Sequence, residues 1–229
     1  MTSADEPERG EPERGGGGLD VGVLRRRLLA VVAAISALGL AVELWHARSH
    51  DPVIEVLLPR LSLSYEHNVP TWLASSLLLA CALAAGAIAR GAASWRRHWW
   101  GVTGVFGYAS LDEAIQLHEH LGGHLEAGGV LYFDWVIPAA AILAVLAVVF
   151  LPFVRALPAV TRRRLVIAGA IFLGGAVAME LPLGWWTERA GTDSLGYGVI
   201  DWIEETLELV GSSLALVALV AHRQEAVAS

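Results

Sequence analysis

The chain has 229 residues, 55% of them hydrophobic, with a mean hydropathy of +0.54 and a formal net charge of −7. Soluble domains keep apolar residues, glycine included, near about 45–50%, so this composition excludes an ordinary soluble domain and points to a membrane protein of one domain. The 16 basic residues are all arginines in short clusters between apolar runs, which argues against nucleic-acid binding, and the single Cys81 excludes both an intramolecular disulfide and a thiolate metal cluster.

In chain order, residues 1–22 hold a tandem EPERG duplication that runs into the glycines Gly15 to Gly18, a composition that predicts a disordered tail. The apolar run after Arg25, Arg26 and Arg27 is too long for a signal-peptide core and has no small-residue cleavage site, so it reads as a retained first span. Runs near the ~20 residues needed to cross a hydrocarbon core succeed one another. They lie at 28–47, 70–90, 99–119, 131–154, 165–186 and 199–221. The expected fold is therefore all-α: a disordered tail at 1–22 and a six-helix transmembrane domain at 23–224.

The arginines alternate between the connections. Arg25 to Arg27, Arg90, Arg96, Arg97, Arg155, Arg162 to Arg164 and Arg223 fall on one side, against Arg48, Arg60 and Arg189 on the other, which predicts cytoplasmic termini. Trp45, Trp72, Trp135, Trp185, Trp186 and Trp202 mark the outer boundary, and Trp95, Trp99 and Trp100 the inner one.

Counting up each span from its cytoplasmic end places Glu43, Glu113, Glu180, Glu205 and Glu208 roughly 13–18 residues in, or ~20–27 Å, in one layer fed by spans 1, 3, 5 and 6. Spans 2 and 4 carry no acid apart from Asp134 at the start of span 4, and read as scaffold. In span 6, Asp201, Glu204, Glu205 and Glu208 follow the i, i+3, i+4, i+7 pattern of one helix face, and Ser212 extends it. In span 3, Asp112, Gln116 and Glu119 form one edge of a polar face and Glu113 and His120 the other, with His118 pointing elsewhere. The competing reading ends this helix near Leu117 and leaves His118, Glu119, His120 and His124 in a solvated loop. In span 1, Glu43 and His46 share a face, with His50 a turn beyond. Pro182, just after Glu180, frees backbone groups in span 5. The outermost acids, Asp201 and with it Glu204 and Glu119, read as a solvent-facing rim.

An ionised carboxylate near the bilayer centre costs at least ~2.5–3.5 kcal/mol, so this layer needs cations. The spans offer none of their own, leaving a few histidines, Arg48 or Arg189 folding inward, protons, or metal. Carboxylates with one or two histidines suit Fe, Mn or Zn, bound as one or two ions, and the expected ligands are Glu43, His46, Asp112, Glu113, Glu119, His120, Glu180, Glu205 and Glu208.

The segments Leu111-Asp112-Glu113 through His118-Glu119, and Glu204-Glu205 through Glu208 to Gly211, resemble an uncharacterised family of bacterial multi-pass membrane proteins, with Glu180 as a third landmark. The resemblance covers spans 3 to 6 and leaves the tail and the loop at 48–69 outside. It implies a shared topology and polar site in a bacterial cytoplasmic membrane, and lends no activity.

Three functions compete. A metal-dependent enzyme, an oxidoreductase or a hydrolase, would use the layer on a lipid-like substrate entering from the outer leaflet. A divalent-cation or proton transporter would use the same acids transiently, but the spans show no internal repeat and no acids continuing toward the cytoplasm. A structural or sensory protein would use the acids to fix helix register, which ordinarily takes fewer of them. The sequence leaves metal identity and oligomeric state open.

Overall fold

The computed structural model describes residues 19–118, 122, 125 and 127–228, and among these the structure is helical with no strand. The helices are α1 (Val21–His46), α2 (Pro52–Leu61), α3 (Val69–Gly91), α4 (Arg96–Ile115), α5 (Val136–Ala156), α6 (Ala159–Leu173), α7 (Glu180–Ala190) and α8 (Leu195–Ala228). A π-helical segment, Gly174–Met179, joins α6 to α7 without a break. Four stretches are long and apolar enough to cross a membrane: α1, α3, α5 and the run Ala159–Ala190. Of the tail expected at 1–22, residues 1–18 lie outside the described residues, and α1 already begins at Val21.

Local chemistry sets the helix starts. The Asp20 carboxylate accepts from the Gly22 and Val23 amides at 2.7 and 3.0 Å, satisfying two N–H groups that have no partner within the helix. Asp51 does the same for Val53 and Ile54 at 2.8 and 3.1 Å, with Pro52 in the first helical position, where a missing N–H costs nothing. Asn68 caps α3 through the Thr71 amide at 3.1 Å.

α8 is the hub, packed against α1, α3, α6, the π segment and α7, while α3 pairs with α4 and α5 stays peripheral. Small polar pairs set the register. Ser75 and Ser110 exchange reciprocal hydroxyl-to-carbonyl bonds, each 2.8 Å, across α3 and α4. Trp202 Nε1 donates to the Ser36 carbonyl at 2.7 Å and Thr206 to the Ser36 hydroxyl at 3.1 Å, fixing α8 on α1. Close approach needs glycine: a Cβ on Gly211 would lie 2.6 Å from the Phe172 amide nitrogen, and one on Gly175 2.7 Å from the Glu204 carbonyl oxygen.

The arginine clusters gather at one end. Gln224 reaches the Leu19 carbonyl at 2.8 Å, Arg164 pairs with Glu225 at 3.4 Å, and Trp99 stacks on His222 with centroids 5.2 Å apart. Above that end lies an apolar plug of Cys81, Ala85, Ala89, Phe153, Ala168 and Leu219. The segment 48–69, read from sequence as a loop, instead folds α2 against the far end of α1 and returns a short turn, 62–68, onto the bundle.

Candidate functional site

The acids converge at the end opposite the arginine clusters. α8 supplies Asp201, Glu204, Glu205 and Glu208, and because its acidic stripe spans a wide arc, neighbours on several sides meet it. Glu204 lies in electrostatic range of Glu180 and Asp201, Glu205 of Glu208 and Glu113, and Glu208 of Glu113 and Glu180. The Ser75–Ser110 clasp sits just before Asp112 and Glu113 and so brings the end of α4 to this level. The π segment ends at Glu180, and Gly175 within it rests on the backbone of α8 at Glu204 and Glu208. A π segment adds a residue to the turn and so rotates the helix beyond it, which here turns Glu180 toward α8. Trp135 Nε1 donates to Glu180 Oε1 at 3.1 Å and fixes that carboxyl from the α5 side.

The chamber has a seventh acid that the sequence did not single out. Glu66, on the turn after α2, lies in electrostatic range of Glu113, Asp201, Glu204, Glu205 and Glu208. Its signal in the sequence is faint, because a lone acid in a Ser-Tyr-Glu-His-Asn turn has no periodic partner. The same turn brings Ser64, which donates to the Gly198 carbonyl at 3.3 Å and also hydrogen-bonds Asp201, and Ser62, whose hydroxyl donates to Glu43 Oε1. Glu43 is buried beside Gly198, where a Cβ would stand 2.9 Å from Glu43 Oε2.

Several expectations change. Glu204 is not part of a solvent-facing rim: it is 7% exposed, and its Oε2 has no hydrogen-bond partner among the described residues, while the partly exposed Asp201 hydrogen-bonds Ser64 on the turn after α2. The span 3 helix does not run to residue 119. It stops at Ile115 because Gln116 takes a left-handed conformation (φ 54°), and the chain doubles back. His118 therefore does not point away: its amide and Nδ1 meet Asp112 at 2.8 and 2.9 Å, and its ring packs on Trp135 with centroids 4.6 Å apart. Asp112 is thus engaged with the turn, leaving Glu113 to face α8.

His46 does not share the Glu43 environment. It turns to Glu55 and His50, at 3.5 and 3.2 Å, outside the acid cluster. Arg48 bonds the Leu44 carbonyl, and Arg189 lies over Trp185 and beside Glu188, so neither folds inward to neutralise the acids. Glu119, His120 and His124 lie outside the described residues.

Glu113, Asp201, Glu205 and Glu208 are each partly exposed, and Glu204 beside them is buried. Among the described residues, His118 is a basic group in electrostatic range of Glu113.

Fold and site together define, among the described residues, a helical protein with four membrane-length apolar stretches and a cluster of carboxylates on and around α8. Residues 28–223 match the model of a family described as a domain of unknown function (DUF8692), and the chain belongs to that family. The match takes in α1, α2 and the turn that carries Glu66, and so reaches beyond the extent expected from the span 3 to span 6 motifs. No curated protein and no solved structure matches the chain.

Proposed function

We propose that this chain crosses a bacterial cytoplasmic membrane six times, through α1, α3, α4, α5, the α6–α7 run and α8, with the arginine-rich end and both termini inside. Its chamber holds one or two divalent metal ions in a metal-dependent enzyme that acts on a lipid-like substrate. The observation behind this reading is the convergence of Glu66, Glu113, Glu180, Asp201, Glu204, Glu205 and Glu208, with no arginine among the described groups that influence them electrostatically.

Seven carboxyls in a low-dielectric interior repel one another, and each ionised one costs several kcal/mol to bury, about 3 or more by transfer scales. A divalent ion offsets two of those charges and takes its ligands from their oxygens. Glu113, Glu180, Glu205 and Glu208 are the first ligands, and the remaining acids hold protons or orient bound water. With His46 turned away, the described donors are oxygens with His118 at the edge, a set that suits Mn or Fe better than Zn. The metal supplies Lewis acidity and an acidified bound water, and the chain's own contribution is to place Glu180 through Trp135 and Asp201 through Ser64.

An open cavity of about 240 Å³ between α3 and α4, lined by His67, Asn68, Thr71, Trp72, Ser75 and Ala114, supports entry of a lipid-like group. Thr71 there is 3.4 Å from Glu66. A transporter is the second reading, favoured by the π segment that interrupts the α6–α7 run beside the acids. Against it stands the apolar plug below the acids, which leaves few polar side chains, Ser212 and Ser213 among them, between them and the arginine-rich end.

Metal analysis of the purified protein tests the proposal. At least one equivalent of a transition metal is expected, falling several-fold in the Glu205→Gln/Glu208→Gln double variant. Less than about a tenth of an equivalent under several growth conditions overturns it.

A further inference from the structure

Outside the chamber, three ligand atoms from two helices and their connection form a small triangle. His46 Nε2, at the end of α1, lies 3.5 Å from Glu55 Oε1 on α2, and His50 Nδ1, on the linker, lies 3.4 Å from the same oxygen and 3.2 Å from His46 Nε2. These edges have a geometric meaning. Ligands held at 2.0–2.1 Å around a tetrahedral ion stand ~3.3 Å apart, which the triangle matches on all three sides. Cis ligands of an octahedral ion with bonds near ~2.15 Å stand only ~3.0 Å apart.

Protons alone do not make all three edges hydrogen bonds at once. Each ring nitrogen carries at most one hydrogen. If both nitrogens donate to Glu55 Oε1, two N–H groups face each other across 3.2 Å; if one donates to the other, it withdraws its hydrogen from the carboxylate. One cation at the centre satisfies all three edges at once, with two neutral imidazoles and one carboxylate as ligands. His50 and Glu55 are exposed and His46 is half-buried, so water has room to complete the coordination.

We propose that His46, His50 and Glu55 form a zinc-type tetrahedral site, separate from the carboxylate chamber, that clamps α2 to the end of α1. The clamp has a structural consequence. α2 leads directly into the 62–68 turn, whose Ser62, Ser64 and Glu66 close over Glu43, Asp201 and the α8 acids. Occupancy of the site therefore holds the cover of the chamber in place.

Cobalt substitution tests this on the full-length protein in detergent, because tetrahedral cobalt(II) gives intense visible bands and octahedral cobalt only weak ones. After chelator stripping, titration with cobalt(II) should develop a tetrahedral spectrum whose final intensity corresponds to one ion per chain, displaced by zinc. His50→Ala and Glu55→Gln should each weaken binding at least tenfold while leaving thermal unfolding of the metal-free protein unchanged. The Glu205→Gln/Glu208→Gln variant should keep the spectrum, which separates this site from the chamber. Zinc should also slow amide exchange across 51–68 in the unsubstituted protein and not in His50→Ala. The site is refuted by a purely octahedral spectrum, by no cobalt binding, or by bands that survive both single variants or vanish in the chamber variant.

Discussion

Gly174 and Gly175 are adjacent in the π segment, yet their surroundings differ completely. A Cβ added at Gly174 meets nothing within 4 Å, whereas one at Gly175 would lie 2.7 Å from the Glu204 carbonyl oxygen, 2.9 Å from Glu208 Cγ and 3.2 Å from the Glu208 amide nitrogen. Ordinary contact begins near 3.4 Å, so Gly175→Ala must push the π segment off α8 by about 0.7 Å, against backbone atoms that cannot rotate away. Overpacking of this kind costs ~1–3 kcal/mol. The alanine gains back up to ~1 kcal/mol of helix propensity, and Gly174→Ala gains the same without the clash. Gly174→Ala is therefore neutral or slightly stabilising and Gly175→Ala destabilising, with a gap of ~1–3 kcal/mol between them. Reversible unfolding in mixed detergent micelles measures the pair, and metal content measured alongside should fall only in Gly175→Ala, because the shift carries Glu180 away from Glu204 and Glu208. Equal stability of the two variants refutes the packing argument.

Three further perturbations test other contacts. Trp135→Phe removes the 3.1 Å bond to Glu180 while keeping most of the ring's bulk, and should cost ~1.5–3 kcal/mol if that carboxyl is ionised and nearer 1 if it is protonated, read from the same unfolding titration. Ser75→Ala/Ser110→Ala deletes both reciprocal bonds of the α3–α4 clasp and should destabilise by ~1–3 kcal/mol; a change below about 0.3 would mean the register is set by apolar packing alone. Asp20 is held below the usual aspartate value of 3.8 by the Val23 and Gly22 amides. Its folded value being depressed, its capping contribution is full above the ordinary value and disappears as the pH falls through the lowered one. Amide exchange at Val23 and Leu24 should therefore accelerate on acidification in the native chain and be pH-independent, beyond the intrinsic rate, in Asp20→Asn.

The membrane-length helices, the clustering of arginines at one end and the α8 stripe were all legible in the sequence, because each depends on composition or on spacing along a single helix. The run of Asp201, Glu204, Glu205 and Glu208 carries its own periodicity, and no partner is needed to see that those side chains share an arc. What the sequence could not convey depends on contacts between segments. Glu66 joins the chamber because α2 folds back over the bundle, and the only local hint was Asp51-Pro52, a helix start followed by an apolar run. His46 and Glu43 are three residues apart and were expected to act together, but Ser62 on one side and Glu55 on the other divide them.

The end of α4 shows the same limit, since the left-handed turn at Gln116 that sends His118 back to Asp112 leaves no trace in hydrophobic period. The layer of acids along the helices was thus a property of the sequence. Its closure from above, its seventh member and the departure of His46 were decided by tertiary structure, because a side chain's partners are fixed by which backbone lies against it, and that backbone belongs to another part of the chain.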